Sequence, residues 1–247
     1  MVVLFALSKM MQAQPQVASI GSITELKGVG RVVREQDPFA AALAFGINSF
    51  DNVETSQGRI GITFLDESQV RLTEHSQLVI DEFIYDPDPS KSKMALKFAS
   101  GTARFITGKL ASINKENISI ETPSATIGIR GTDFTVTVDE LGRSLIILLP
   151  KEDGLASGEI VVSTAAGQVV LNKPYEATTV ELLESAPSRP VILDLTLDII
   201  DNMLIVNPPK EDPNFVSEGE QTEGSDNILD IDYLEFDELE QDYLAED

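Results

Sequence analysis

Apolar and polar residues exchange places every second position over most of this chain, from about Val17 onward. Ile60, Ile62 and Phe64 alternate with polar neighbours until Asp66-Glu67-Ser68 turns the chain. Val70 and Leu72 resume the alternation, and after a second polar turn Leu78, Ile80 and Phe83 continue it. Period two is the spacing of a half-buried strand, so this stretch predicts three strands. "SITELKGVGRVVRE" predicts two strands around Gly28-Val29-Gly30, and "MALKFASGTARFITG" two around Ser100-Gly101. "NISIETPSATIGIRGTDFTVTVDELGRSLIILLP" predicts three or four. "GEIVVSTAAGQVVLNKPYEATTVELLE" predicts two joined at Ala165-Ala166-Gly167, and then a third. Strands that arrive every 8–12 residues with turn signals between them are those of a sandwich, a barrel or a β-solenoid. Only "DPFAAALAFG" reads as helical before residue 185, and "DPDPSKSK" is a loop by composition.

The pattern changes near the C-terminus. Leu193, Leu195, Leu197 and Ile199 alternate, which predicts a strand, with a helix through Asp198–Leu204 as the rival. Pro208-Pro209 ends the body. The organisation read from the chain is an N-terminal segment 1–16, a β domain 17–185, an extension 186–209 packed on that domain, and an acidic tail 210–247. In the tail, Ile231, Leu234, Phe236, Leu239 and Tyr243 stand on an acidic background and form a candidate motif for docking on a partner. The first 19 residues, "MVVLFALSKMMQAQPQVAS", resemble a weak secretory signal with small residues near Ala13, the alternative being a disordered start with Met10 or Met11 as the true first residue.

Charge and composition narrow the chemistry. The chain has 247 residues and a net charge of −23. Residues 211–247 hold 15 of the 41 acids and no base, which leaves −8 for the rest. An acidic chain repels phosphate backbones and anionic lipid, so nucleic acid is not an expected partner. No run approaches the ~18 apolar residues of a membrane helix, so no membrane insertion is expected either. There is no cysteine and one histidine, His75, in "RLTEHSQL". Ser/His/Asp catalysis needs a nucleophile motif beside its histidine, and none occurs. No Walker loop, H-E-x-x-H or EF-hand loop is present. Asp86 and Asp88 belong to a proline-stiffened loop without further oxygen ligands nearby. The expectation is a protein with no catalytic site, no metal site and no cofactor, whose partners are other proteins.

One charged pair stands out. In "TPSATIGIRGTDFTVTV", Arg130 lies between Gly128 and Gly131, and Asp133 follows three residues on. Glycine inside a strand marks a bulge or a corner. An inward arginine there must be paired, since an unpaired buried charge is very costly. The sequence therefore predicts an Arg130–Asp133 clip across a strand corner, with Ile127, Ile129 and Phe134 in the core. The alternative reading is an exposed Arg130 that binds anions.

The same stretch carries a family resemblance. Thr122, Pro123, Gly128, Arg130, Gly131, Thr132 and Phe134 resemble the most specific motif of the FecR domain. Asp51, Thr55, Phe64, Asp66 and Ser68 resemble an earlier segment, with Glu67 where the family often has glycine. Gly101, Arg104 and Phe105 resemble its G-x-x-R-F segment. The likeness covers about residues 19–182 and implies an all-β, FecR-like sandwich or irregular solenoid, here followed by a disordered acidic tail. It implies no catalytic residues. The cytoplasmic anti-sigma segment, membrane helix and C-terminal lobe of the iron-uptake regulators have no recognisable counterpart. The arrangement resembles instead FecR-like proteins encoded by tailed phages. The expected role is a structural or interaction component of a virion or other extracellular assembly. The alternatives are an exported periplasmic or cell-surface protein in signal relay or cell-wall binding, and a carbohydrate-binding or carbohydrate-cleaving β-protein.

Overall fold

The structure, a computed structural model, describes residues 19–194 except 87, 89, 90 and 114–116. The chain divides into two compact units between Pro208 and Pro209, and the second lies outside the described residues. So do the N-terminal segment and the tail residues Ile231, Leu234, Phe236, Leu239 and Tyr243. Fifteen strands and one helical turn, α1 (Leu110–Ile113), make up the described elements. The all-β expectation holds.

Three strands are unusually long: β1 (Gly21–Arg34), β4 (Asn52–Phe64) and β7 (Lys93–Ile106). Each has two halves with different partners. The first half of β7 pairs with β6 (Gln77–Ile84) and, in parallel, with β8 (Ile118–Glu121). Its second half pairs with β5 (Gln69–Leu72) and β10 (Asp133–Val138). β4 likewise meets β6 through Asn52–Glu54 and β5 through Ile60–Thr63. One hydrogen-bonded sheet is thereby folded into two layers. Layer one runs through the first half of β7 to β8, β9 (Thr126–Arg130), β12 (Glu159–Thr164) and β13 (Gly167–Leu171). Layer two runs through its second half to β10, β11 (Ser144–Leu148), β14 (Glu176–Val180) and β15 (Val191–Ile192).

The inner faces supply one contiguous core. Val32, Val53, Leu78, Leu96, Ile127 and Ile160 of layer one join Ile23, Ile62, Leu72, Phe105, Phe134 and Ile146 of layer two. The alternation seen in the sequence is this inside–outside alternation, strand by strand. Phe98 and Phe105 lie on opposite sides of the bend in β7 and meet edge to face at 6.0 Å between centroids.

The long strands bend where their side chains are absent. Gly28 of β1 stands opposite Gly58 of β4, and the β1–β4 register shifts between Gly28 and Gly30. Gly28 has φ +79°, and a Cβ there would lie 2.1 Å from the Gln57 carbonyl oxygen. Only glycine lets two bent strands approach so closely. Two expectations change here. The paired strands read around Gly28–Gly30 and around Ser100-Gly101 are single bent strands. "DPFAAALAFG" is not helical: it forms β2 (Asp37–Ala40), which pairs with Arg31–Arg34, then a turn and the start of β3 (Gly46–Ile47). Pairing to the exposed edge of β1 outweighs the helix propensity of its alanines.

Gly28→Ala is expected to cost at least about 3 kcal/mol, from left-handed strain plus a backbone clash. Gly128 in β9 has ordinary φ and its nearest Cβ neighbour would be 3.8 Å away, so Gly128→Ala should change stability by less than about 1 kcal/mol. Thermal or urea denaturation of the two variants measures the contrast.

Candidate functional site

Residues 129–134 take the chain from layer one to layer two. β9 ends at Arg130, Gly131 turns the backbone with φ +67°, and β10 begins at Asp133. The crossing is tied on every side. The Thr132 N–H donates to Thr107 Oγ1 at 2.8 Å, and the Thr132 carbonyl accepts from the Thr107 N–H and hydroxyl, each at 3.0 Å. The Asp133 N–H donates to Ser157 Oγ at 2.9 Å, which returns a bond to the Asp133 carbonyl at 3.0 Å. Gly158 lies so close to the Gly131 carbonyl that a Cβ would sit 2.0 Å from it. Phe134 is fully buried and stacks on Phe105 at 5.2 Å.

The charged pair of this corner is not the predicted one. Asp133 accepts two hydrogen bonds from Arg104, from Nε at 2.9 Å and from Nη2 at 2.7 Å. The side chains are 12% and 18% exposed, so the bidentate pair is largely shielded from water. Arg130 points outward, 54% exposed, and donates to Glu159 of the neighbouring strand at 2.7 Å. The Arg130–Asp133 clip is thus corrected to Arg104–Asp133. The physical reason is parity. Arg130 and Asp133 flank a turn between layers, whereas the β7–β10 register sets Arg104 opposite Thr135, diagonal to Asp133 on the same face. Gly128 is also not required by the backbone, unlike Gly131.

Two further carboxylates are buried hubs. Asp51, wholly buried, accepts from Arg34 Nε and Nη2, both at 2.7 Å, and from the Asn48 N–H at 2.8 Å. The hydrogen bond to Asp51 raises the Arg34 pKa against the opposing effect of burial. Asp66, also wholly buried, accepts from the Ser68 hydroxyl at 2.6 Å, the Ser68 N–H at 3.1 Å and the Leu110 N–H at 3.3 Å. Its carbonyl accepts from the Lys109 N–H at 2.7 Å. This fastens the β4–β5 turn to the turn after β7. Glu67 has φ +70°, which explains a preference for glycine at that position. Its carboxylate pairs with Lys109 across the same junction.

The arrangement holds strands together. His75 is exposed at the turn between β5 and β6, as its sequence context implied. A cleft of about 320 Å³ opens at the β10–β11 turn, where Arg143 is bonded to Asp139 at 2.6 Å. Its Ser144 hydroxyl is engaged with Ser124 at 2.7 Å and Thr122 at 2.8 Å. Among the described residues no three His, Cys, Asp or Glu side chains are grouped to hold a metal ion. None of the described helices is long and apolar enough to cross a membrane. Sequence reading missed Ser157, Thr107 and the Arg34–Asp51 pair. Asp66-x-Ser68 was the one local signal, because an aspartate that bonds the N–H two residues on is a turn pattern.

Arg104→Ala should lower stability by about 2–3 kcal/mol, since it strands a shielded carboxylate at the corner. Arg130→Ala should change it by less than about 0.5 kcal/mol, as for an exposed pair. Urea titrations of both variants decide the assignment; equal effects would contradict it.

Against known proteins, the family model described as FecR protein matches residues 51–169. That span runs from the buried Asp51 through the layer crossing to β13. Two crystal structures of a candidate anti-sigma factor from Parabacteroides distasonis ATCC 8503 are similar at 14% and 16% identity, with TM-scores of 0.41 and 0.42. Each alignment covers 56% of this chain, which spans 57% of the other. No curated protein matches. Residues 51–169, which hold the hubs and the crossing of one folded sheet, are thus similar to the FecR protein family.

Proposed function

We infer that this protein works by binding other proteins and not by transforming a substrate, as an exported FecR-domain module in signal relay or at the cell wall. The FecR match over residues 51–169 carries the reading. The state of the motif residues supports it. Asp51, Asp66, Arg104 and Asp133 are committed to backbone and ion-pair bonds that hold the fold. The surface offers pairing instead. Among the described residues β13 bonds only to β12, and its sequence "GQVVL" has neither the lysine nor the proline that usually blunts an edge strand. The reading as a virion component rests on the resemblance to phage-encoded relatives, and no comparison adds to it.

The test is the mature protein in its bacterial host. Cell fractionation and N-terminal sequencing should place it in the periplasm or at the surface, shortened to a start beyond about Ala13. Protein with Met1 intact in the cytosol or in purified phage particles would overturn the reading.

A further inference from the structure

Among the described residues layer one ends in two edge strands, β2 and β13. Each is the second strand of a hairpin with a two-residue turn, Glu35-Gln36 before β2 and Ala165-Ala166 before β13. The hairpins close on the pairs Arg34–Asp37 and Thr164–Gly167. A closing pair is hydrogen-bonded, so from there every second residue turns its N–H and C=O away from the hairpin partner. On β2 these outward residues are Pro38 and Ala40, and on β13 they are Gln168 and Val170. Pro38 has no N–H, which blunts the β2 edge. Gln168 and Val170 keep both groups, and none of the four has a partner among the described residues. The opening is bounded at both ends. The Ala166 N–H donates to Thr164 Oγ1 at 3.2 Å, and the Asn172 N–H to Glu176 Oε2 at 2.8 Å.

We propose that β13 pairs with β13 of a second copy of this chain, antiparallel about a two-fold axis at Val169. The proposal rests on the reading that the protein works by binding proteins, and it names the partner of this edge. Three observations select the second copy. The first is the pattern of free groups. Centred on Val169, the pairing sets Gln168 opposite Val170 of the second copy, and all four free groups of each edge are bonded. A centre at Gln168 would need the Ala166 N–H and a centre at Val170 the Asn172 N–H, and both are already engaged. The second is charge. Gly167–Leu171 carries none, so two acidic copies meet without like-charge repulsion along the paired strands, and a partner drawn by charge finds nothing there to hold it. Val170, 39% exposed, lies against Gln168 of the second copy, and Val169, already packed on the core, meets its own symmetry mate. The third is closure. With Pro38 on the opposite edge, copies cannot add head to tail along layer one, so pairing through β13 stops at a dimer and does not run on as a filament.

Sedimentation of the purified full chain tests this. The chain should pass from monomer to dimer, and no further, as its concentration rises to ~100 μM. Val170→Pro removes an outward N–H that has no partner within the chain, so the fold should melt nearly as before while self-association weakens at least ~10-fold. Val170→Lys is the second blocking variant, should the proline variant fail to fold. Register is read separately, because the chain has no cysteine of its own. The central pair is not hydrogen-bonded and brings its Cα atoms to about 4.5 Å, within reach of a disulfide. Mild oxidation should therefore link most Val169→Cys chains as dimers and few Ser163→Cys chains, whose positions lie about three strand spacings apart, ~14 Å. A chain that stays monomeric, a dimer that folded Val170→Pro and Val170→Lys leave intact, or equal cross-linking at 169 and 163 would overturn the proposal. Sedimentation of purified protein does not depend on where the cell keeps it, so failure here is distinct from failure of the exported reading.

Discussion

Three strands in this fold belong to two layers at once, and that constraint shapes everything else. A strand shared by both layers must bend sharply, and at its bend it can keep neither full ladder pairing nor bulky side chains. β1 and β4 satisfy this with facing glycines, Gly28 and Gly58. β7 satisfies it at Gly101, where φ is +92° and the Ser76 hydroxyl bonds to the Thr102 backbone at 3.1 Å on both its donor and acceptor sides. Once the bends are fixed, the inner faces are brought together and one core can span both layers. The hydrophobic term then acts across the fold, and the bends no longer open without exposing it.

The buried polar residues at the corners follow from the same constraint. A folded sheet has corners, and corners leave backbone groups without ladder partners. Buried N–H and carbonyl groups must be satisfied somewhere. Asp66 takes the N–H groups of Ser68 and Leu110, Ser157 serves both backbone groups of Asp133, and Thr107 serves both of Thr132. Among the described residues, these buried charges therefore mark places where the chain changes direction.

Strand positions were legible in the sequence because alternation is a local property. Val70 and Leu72, or Phe134 and Val136, declare their inward face without reference to any partner. Bends were legible as glycines but not as bends. "SITELKGVGRVVRE" contains the same residues whether Gly28 ends a strand or folds one, and only the pairing of Gly28 with Gly58 tells them apart. The charged pair was misread for a related reason. Asp133 finds its guanidinium 29 residues away, through the register of β7 on β10. An arginine three residues away was the nearest in sequence, but the turn at Gly131 sends it to the outside. The Arg34–Asp51 pair, 17 residues apart, was hidden in the same way.

Exposed and shielded ion pairs in this chain divide along that line. Pairs such as Arg130–Glu159 and Lys97–Asp81 sit on open strands and are screened by water. Arg104–Asp133 and Arg34–Asp51 are bidentate, short, and placed where the chain turns between layers or between strands. Arginine suits that position because its planar fork fixes direction as well as charge. A lysine at 104 would keep the charge and lose the second bond, leaving Asp133 free to swing and the crossing less defined. Rigid corners in turn leave the outer faces and the β13 edge as the parts of the molecule that can accept another chain without disturbing the core.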